Sequence, residues 1–247
     1  TVECVNEGLE VLRSEKCDII TAVGGGSSID TAKAIGIMDN DLGSNKGHEG
    51  YDKLKNPRKK PLIAVNTTAG TGSEVRAFSL LTDTESKRKL GIGSHYLTPD
   101  VAIDDFMLTL SMPPGLTAAT GMDALTHAIE AYISKYSTHL SDSLAINAIK
   151  IISENLGLVV SNGENLEARS NMMEAQLLAG MAMVTASLGA IHSLANNLGA
   201  FYNIPHGITC AILLPFVMEF NLISNPLKFR RMAEAMDERT KGLSTRE

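Results

Sequence analysis

The feature that most constrains this chain is a change of texture at Met112-Pro113-Pro114. Ahead of it lie short β-rich runs: Ile19-Ile20-Thr21-Ala22-Val23, Leu62-Ile63-Ala64-Val65 and Val101-Ala102-Ile103-Asp104. Each ends in a loop or turn, and two of these loops are rich in glycine, serine and threonine. Behind it, β-branched runs thin out and alanine, leucine and methionine recur at helical spacing. Proline near a helix start is favourable, because the donor it lacks would be orphaned there anyway. Helices are expected over 115–134, 141–160, 164–188, 189–201, 208–223 and 227–237. The pattern predicts an α/β domain over residues 1–109 and an all-helical domain over 110–247.

Within the first part, Val2, Val5, Leu9 and Leu12 mark a helix over 2–14. A second helix is expected from Ile29 to Met38, after the glycine turn. Residues 39–60 are polar and read as a surface loop. Residues 78–93 read as one or two strands, with Lys87, Arg88 and Lys89 between them. The chain starts at Thr1 and stops at Glu247, just after a helical pattern over Arg230–Asp237. It is therefore expected to be a piece of a longer protein.

Composition narrows the function classes. Of 247 residues, 44% are hydrophobic and 20% charged, which is globular rather than disordered. The net charge of −6 argues against nucleic acid and anionic membranes as partners. No uninterrupted apolar run approaches the roughly 20 residues of a membrane span. Cys4, Cys17 and Cys210 are far apart, so neither a disulfide framework nor a metal knuckle is expected. A reduced, cytoplasmic setting follows from that usage.

Three constellations carry possible chemistry. Gly24-Gly25-Gly26-Ser27-Ser28 joins a strand to a helix, where glycine allows close backbone approach and the helix start offers free amides. A pyrophosphate fits there, and so does a plain tight turn; the third glycine of the GxGxxG fingerprint is absent. Thr67-Thr68-Ala69-Gly70-Thr71-Gly72-Ser73 follows a second buried strand. In open α/β sheets ligands bind beyond the strands' carboxyl ends, so both loops point to one crevice. Lys89 is either a ribose or charge contact in that crevice or a solvated lysine.

The third constellation is the sharpest. Asp123 and His127 stand at i and i+4 of a helix, on one face. His192 lies in an alanine- and leucine-rich helix, and His206 sits in a Pro205-His206-Gly207 corner. One carboxylate and three imidazoles make a four-ligand set suited to Zn²⁺ or Fe²⁺. The bland alternative is four unrelated histidine and aspartate positions, which is how His48, His95 and His139 are read.

Gly24–Ser28, Asn66–Glu74, the stretch Gly121–Tyr132 and Gly199–Gly207 together resemble the iron-containing (group III) alcohol dehydrogenases over nearly the whole chain. The resemblance implies a dehydroquinate synthase-like architecture, a dinucleotide-binding α/β domain followed by a helical metal domain. It implies Fe²⁺ or Zn²⁺ on Asp123, His127, His192 and His206. It implies NAD or NADP with its pyrophosphate on Gly25, Gly26 and Ser27, and Thr67, Thr68, Thr71 and Lys89 along the cleft. The implied reaction is hydride exchange between a primary alcohol or diol, or an aldehyde in reverse, and the nicotinamide, in a homo-oligomer.

The chain departs from the family pattern at three places. Asn196 stands where many members have a second histidine one turn after the third ligand, and asparagine cannot titrate. Asn66 stands where proline is common, and Arg76 where a small polar residue is common. Two other readings remain. One is a polyol dehydrogenase or dehydroquinate synthase-like protein, disfavoured because 115–132 and 188–214 hold no Lys or Arg to meet a phosphorylated ligand. The other is a non-catalytic chain whose metal staples its helices.

Overall fold

The computed structural model describes residues 1–40, 45–86, 88–202, 204–238, 240 and 242–243. Lys87 therefore lies outside the described residues. The first part runs α1 (Val2–Ser14), β1 (Ile20–Gly24), α2 (Gly26–Met38), β2 (Gly50–Tyr51), β3 (Leu62–Asn66), β4 (Phe78–Asp83), β5 (Arg88–Gly93) and β6 (Val101–Asp104). The second runs α3 (Pro114–Ile133), α4 (His139–Ser161), α5 (Leu166–Ala186), α6 (Ala190–Tyr202), α7 (His206–Asn221) and α8 (Pro226–Ala235).

Strands β1, β3 and β6 form a parallel sheet in the order β1-β3-β6. Ile20, Ala22, Leu62 and Ala64 turn inward and pack with Leu12 of α1 and with Ile29 and Ala32 of α2. The register aligns Gly24 with Asn66 and Asn66 with Asp104. The carboxyl ends of all three strands are therefore level, and the two small-residue loops leave from the same edge. A second sheet has β5 between β2 and β4, parallel to the first and antiparallel to the second.

Three local expectations change. Residues 39–60 contain the two-residue strand β2, whose place comes from pairing with β5, a contact no local pattern encodes. Arg88 and Lys89 lie inside β5 rather than between strands. Two segments, His139–Ser161 and His206–Ser224, are long and apolar enough to cross a membrane by length and composition alone, with mean hydropathies of 1.4 and 1.7. Their polar residues interrupt the apolar run yet leave the average high enough for a span. Ala145, Ala148, Ile149 and Ile152 of α4 lie in the same core cluster as Cys210 and Leu214 of α7.

The helical core is built largely on alanine: Ala124, Ala128 and Ala131 of α3, Ala145 and Ala148 of α4, and Ala175, Ala179 and Ala182 of α5. Small side chains let these helices approach closely, with Ile149, Ile152 and Met172 filling the gaps. Each start is fixed locally. Pro114 opens α3, Thr138 and Ser141 form a reciprocal cap on α4, and Asn165 caps α5.

One side chain ties the helical part to the loop after β3. Gln176 of α5 accepts from the Gly72 amide at 3.2 Å and donates to Glu74 Oε1 at 3.0 Å. From the other side, buried Lys33 of α2 donates to Ser73 Oγ at 3.0 Å and to the Arg76 and Phe78 carbonyls at 2.8 Å each. Asp30 accepts from Ser73 Oγ and from the Leu80 amide. The C-terminal end of the loop is thus held from both sides before any ligand is considered.

Candidate active site

The first loop is the turn from β1 into α2. Gly25 caps α2 in extended conformation and makes no side-chain cap bond, so the first helix amides are left for an outside acceptor. A Cβ on Gly25 would meet Thr68 Cγ2 at 2.8 Å, and one on Gly26 would meet Thr71 Cγ2 at 2.9 Å. The two sequence-distant loops therefore pack directly on one another. The Thr67 amide donates to the Gly24 carbonyl at 3.1 Å. Gly25, Gly26, Ser27, Thr67, Thr68 and Thr71 accordingly share one edge of the sheet.

Asn66 organises that edge. Its Nδ2 donates to Asp104 Oδ1 at 3.0 Å, and its Oδ1 accepts from the Thr68 amide at 3.1 Å and hydroxyl at 3.2 Å. Lys89 is placed differently from the other expected cofactor residues. It is exposed on β5 and donates to Thr82 Oγ1 at 2.8 Å. Ser73 is spent on Asp30 and Lys33, so it is scaffold rather than lining.

The four expected ligands come together. Asp123 Oδ1 lies 3.9 Å from His127 Nε2, 3.5 Å from His192 Nε2 and 3.4 Å from His206 Nε2. The His127 and His192 rings stack with centroids 4.4 Å apart. Asp123, His127 and His192 are buried. Asp123 Oδ1 and His192 Nε2 have no hydrogen-bond partner although both are shut off from solvent. Orphaned buried donor atoms are costly, and here they converge. Nitrogen and oxygen atoms bound to one tetrahedral Zn²⁺ at ~2.0–2.2 Å stand about 3.3–3.6 Å apart, so the His192 and His206 spacings suit a single ion and that of His127, at 3.9 Å, is slightly wider.

Two contacts orient the rings. His127 Nδ1 faces the Gly70 carbonyl at 3.3 Å. His192 Nδ1 meets Glu130 Oε2 at 2.7 Å. Glu130 also accepts from the Gly189 amide at 2.9 Å and the Ile191 amide at 2.7 Å. The first contact attaches the Thr67–Gly72 loop to the cluster, so the two candidate sites adjoin.

The electrostatics follow from burial and proximity. Burial opposes ionisation of Asp123, yet the three imidazoles outweigh it and hold its pKa below the ordinary carboxylate value. Burial lowers His127 to about 3. Burial also works against a charged His192, but the neighbouring Asp123 and Glu130 carboxylates prevail and raise it to about 9. His206 is lowered by burial, with the His192, Arg76 and Lys89 charges adding to the effect. Arg76 reaches Asp30 Oδ2 at 3.5 Å and stacks over Phe78 at 5.5 Å.

Sequence reading overlooked two members of this neighbourhood. Glu130 lies seven residues after Asp123 and three after His127, on the same helix face; that spacing was its signal. Cys210 lies four residues after His206, with Sγ 3.7 Å from His206 Nε2. Among the described residues, Asp123, His192, His206 and Cys210 offer donor atoms all within 4.8 Å of one another. The search for paired cysteines missed it because its neighbours are histidine and aspartate.

The comparisons agree with this picture. Residues 1–106 match the iron-containing alcohol dehydrogenase family, and residues 117–247 match the C-terminal part of the Fe-containing alcohol dehydrogenase family. The chain belongs to the iron-containing alcohol dehydrogenase family. It is 52% identical over 98% of its length to 1,3-propanediol dehydrogenase of Citrobacter freundii, and covers 62% of that protein. It is 44% identical over 98% of its length to the NAD-dependent methanol dehydrogenase of Bacillus methanolicus, and covers 63% of it. The crystal structure of a 1,3-propanediol oxidoreductase superposes with a TM-score of 0.95 at 51% identity, covering 98% of this chain and 63% of that one. The chain thus spans less than two thirds of the length of these relatives.

Proposed function

We propose that this chain forms part of a metal-dependent oxidoreductase that exchanges hydride between a primary alcohol or diol and a nicotinamide cofactor, NAD or NADP. The observation that carries the reading is the Gly70 carbonyl on His127 Nδ1. It seats a phosphate-ready glycine and threonine crevice directly against a buried carboxylate–imidazole cluster. Relatives named as 1,3-propanediol dehydrogenase and NAD-dependent methanol dehydrogenase support the same chemistry.

Each residue then has a task. Asp123, His127, His192 and His206 hold a divalent ion, Fe²⁺ or Zn²⁺. When both groups are bound, the ion supplies Lewis acidity toward an alcohol or carbonyl oxygen, and the nicotinamide accepts or gives the hydride. Asp123 contributes the anionic donor. Glu130 and the Gly70 carbonyl hold His192 and His127 with their Nδ1–H groups turned outward, which leaves the Nε2 lone pairs facing inward. The free amides at Gly26 and Ser27 take the pyrophosphate, and Thr68 and Thr71 line the crevice beside them. Burial of Asp123, His127 and His192 keeps water from their donor atoms. Lys89 contributes only its long-range charge in this arrangement.

The substrate is a neutral small molecule, since the cluster-bearing segments 115–132 and 188–214 hold no Lys or Arg and Arg76 is engaged with Asp30. A division near residue 109 into a dinucleotide part and a metal part accords with the placement of the two half-sites. A homo-oligomer is supported by the exposed Phe216, Phe220 and Ile223 on and after α7. A reduced, cytoplasmic setting is supported by Cys4, Cys17 and Cys210, all unbridged.

The test is reduction of NAD or NADP, followed by nicotinamide absorbance, with butanol or propanediol and protein loaded with Fe²⁺ or Zn²⁺. Metal-dependent turnover is expected. Metal-loaded protein that binds the cofactor but turns over none of these alcohols would overturn the reading, and would favour an ion that only staples helices.

A further inference from the structure

The family reading leaves Cys210 without a task, yet its thiol stands in the ring of metal donors. Cys210 is wholly buried on α7, one turn after His206. Its Sγ is 3.7 Å from His206 Nε2 and within 4.8 Å of donor atoms of Asp123 and His192. A buried cysteine is ordinarily a small apolar filler. This one differs in its neighbours. Two of them, Asp123 Oδ1 and His192 Nε2, are sealed from solvent without hydrogen-bond partners. Those orphans mark the point where a cation belongs, and the sulfur borders the same point. Cys210 thus shares one grouping of donor atoms with Asp123, His192 and His206.

We propose that Cys210 is a metal ligand in this protein, giving the centre a thiolate donor beside its carboxylate and imidazoles. This rests on the metal-centre reading above. The step is an acid–base exchange with no change of oxidation state. The S–H proton leaves to solvent, and a sulfur lone pair goes to the divalent cation; bound cations deprotonate coordinating thiols outright. Two consequences follow from charge and softness. Asp123 and Cys210 together cancel the ion's two positive charges, where Asp123 alone would leave one. Thiolate also suits zinc, which soft sulfur donors bind well.

Cobalt substitution tests this independently of turnover. The purified protein is loaded with Co²⁺ and its spectrum is compared with Cys210→Ser and Cys210→Ala, with helicity checked by circular dichroism. Visible ligand-field bands report that cobalt is bound, whatever the donors. A near-ultraviolet sulfur-to-cobalt charge-transfer band reports thiolate ligation. The expected result is both sets of bands in the parent protein and loss of the charge-transfer band alone in both variants. Ligand-field bands without charge transfer would overturn the role of Cys210 while leaving the metal centre standing. A charge-transfer band that persists in Cys210→Ser would assign the sulfur to Cys4 or Cys17 and overturn it equally. Failure to bind cobalt at all would overturn both this inference and the metal reading beneath it.

Discussion

Glu130 Oε2 lies 2.7 Å from His192 Nδ1, and this contact decides which ring nitrogen faces the cluster. An ionised carboxylate only accepts, so the proton must sit on Nδ1. Nε2 is then the nitrogen that faces Asp123, at 3.5 Å from its Oδ1, and would give its lone pair to a bound cation. Burial raises the Glu130 carboxyl, but His192 and the Gly189 and Ile191 amides outweigh it and lower its pKa. The same carboxylate therefore anchors the start of α6 and orients a ligand that α6 carries.

Replacing Glu130 with glutamine should loosen the metal without unfolding the protein. Its single oxygen can still accept from the Ile191 amide, while its amide group, in the place of Oε2, would present a donor to Nδ1 and to the Gly189 amide and reverse the tautomer. Metal affinity, measured by chelator competition, should fall about 10–100-fold, the usual cost of losing such a partner. Unchanged affinity would remove the positioning role.

At the other half-site, Gly26→Val should act on the cofactor. The new side chain would begin 2.9 Å from Thr71 Cγ2 and stand over the amides at the start of α2. The KM for the nicotinamide cofactor is expected to rise by about tenfold or more, equivalent to ~1.4 kcal/mol. The KM for the alcohol should hardly move. Equal rises in both would count against a pyrophosphate at this turn.

Gly207 sets the seating of α7. A Cβ there would meet the Ala119 carbonyl oxygen of α3 at 2.0 Å. Backbone cannot give way as a flexible side chain can, so Gly207→Ala must shift α7 and carry His206 with it. A loss of roughly 1–3 kcal/mol of stability is expected from overpacking, together with poorer metal retention. Gly157→Ala serves as the control, since its Cβ meets nothing within 4 Å. In that exposed helical position alanine should stabilise by roughly 0.5–1 kcal/mol. Denaturant unfolding of both variants would check the contrast.

Glu74 predicts a pH dependence of stability. Burial raises its pKa from 4.5 to about 7, with Asp104 adding to the effect. Between those values the folded chain holds more protons than the unfolded one, so stability falls as pH rises. The penalty is absent below the lower value and complete above the upper, amounting to at most ~3 kcal/mol. Glu74→Gln keeps an oxygen to accept from Gln176 and removes the charge. It should flatten this part of the stability–pH curve, and a curve identical to the parent's would exclude Glu74 as its source.

Much of the molecule was legible in the residues because the signals were local. Strand, glycine turn and helix are written in consecutive residues, and Asp123 and His127 face one way because one helical turn separates them. The helices from 114 onward fall within a few residues of where periodicity places them. What escaped depended on contacts far apart in the chain. Strand β2 exists only as a partner of β5. Cys210 joins the cluster because α7 crosses α3.

The amino-acid sequence by itself determined the two-part texture, the two glycine and threonine loops, and the identity of Asp123, His127, His192 and His206 as candidate ligands. Those are matters of residue type and of periodicity, which a chain carries before it folds. Only the tertiary structure decided that the loops pack Gly25 on Thr68, that Gly70 touches His127, and that Glu130 rather than solvent holds His192. Such contacts span tens of residues. They exist only once close-packed helices, admitted by alanine and by Gly207, have drawn those segments into one place.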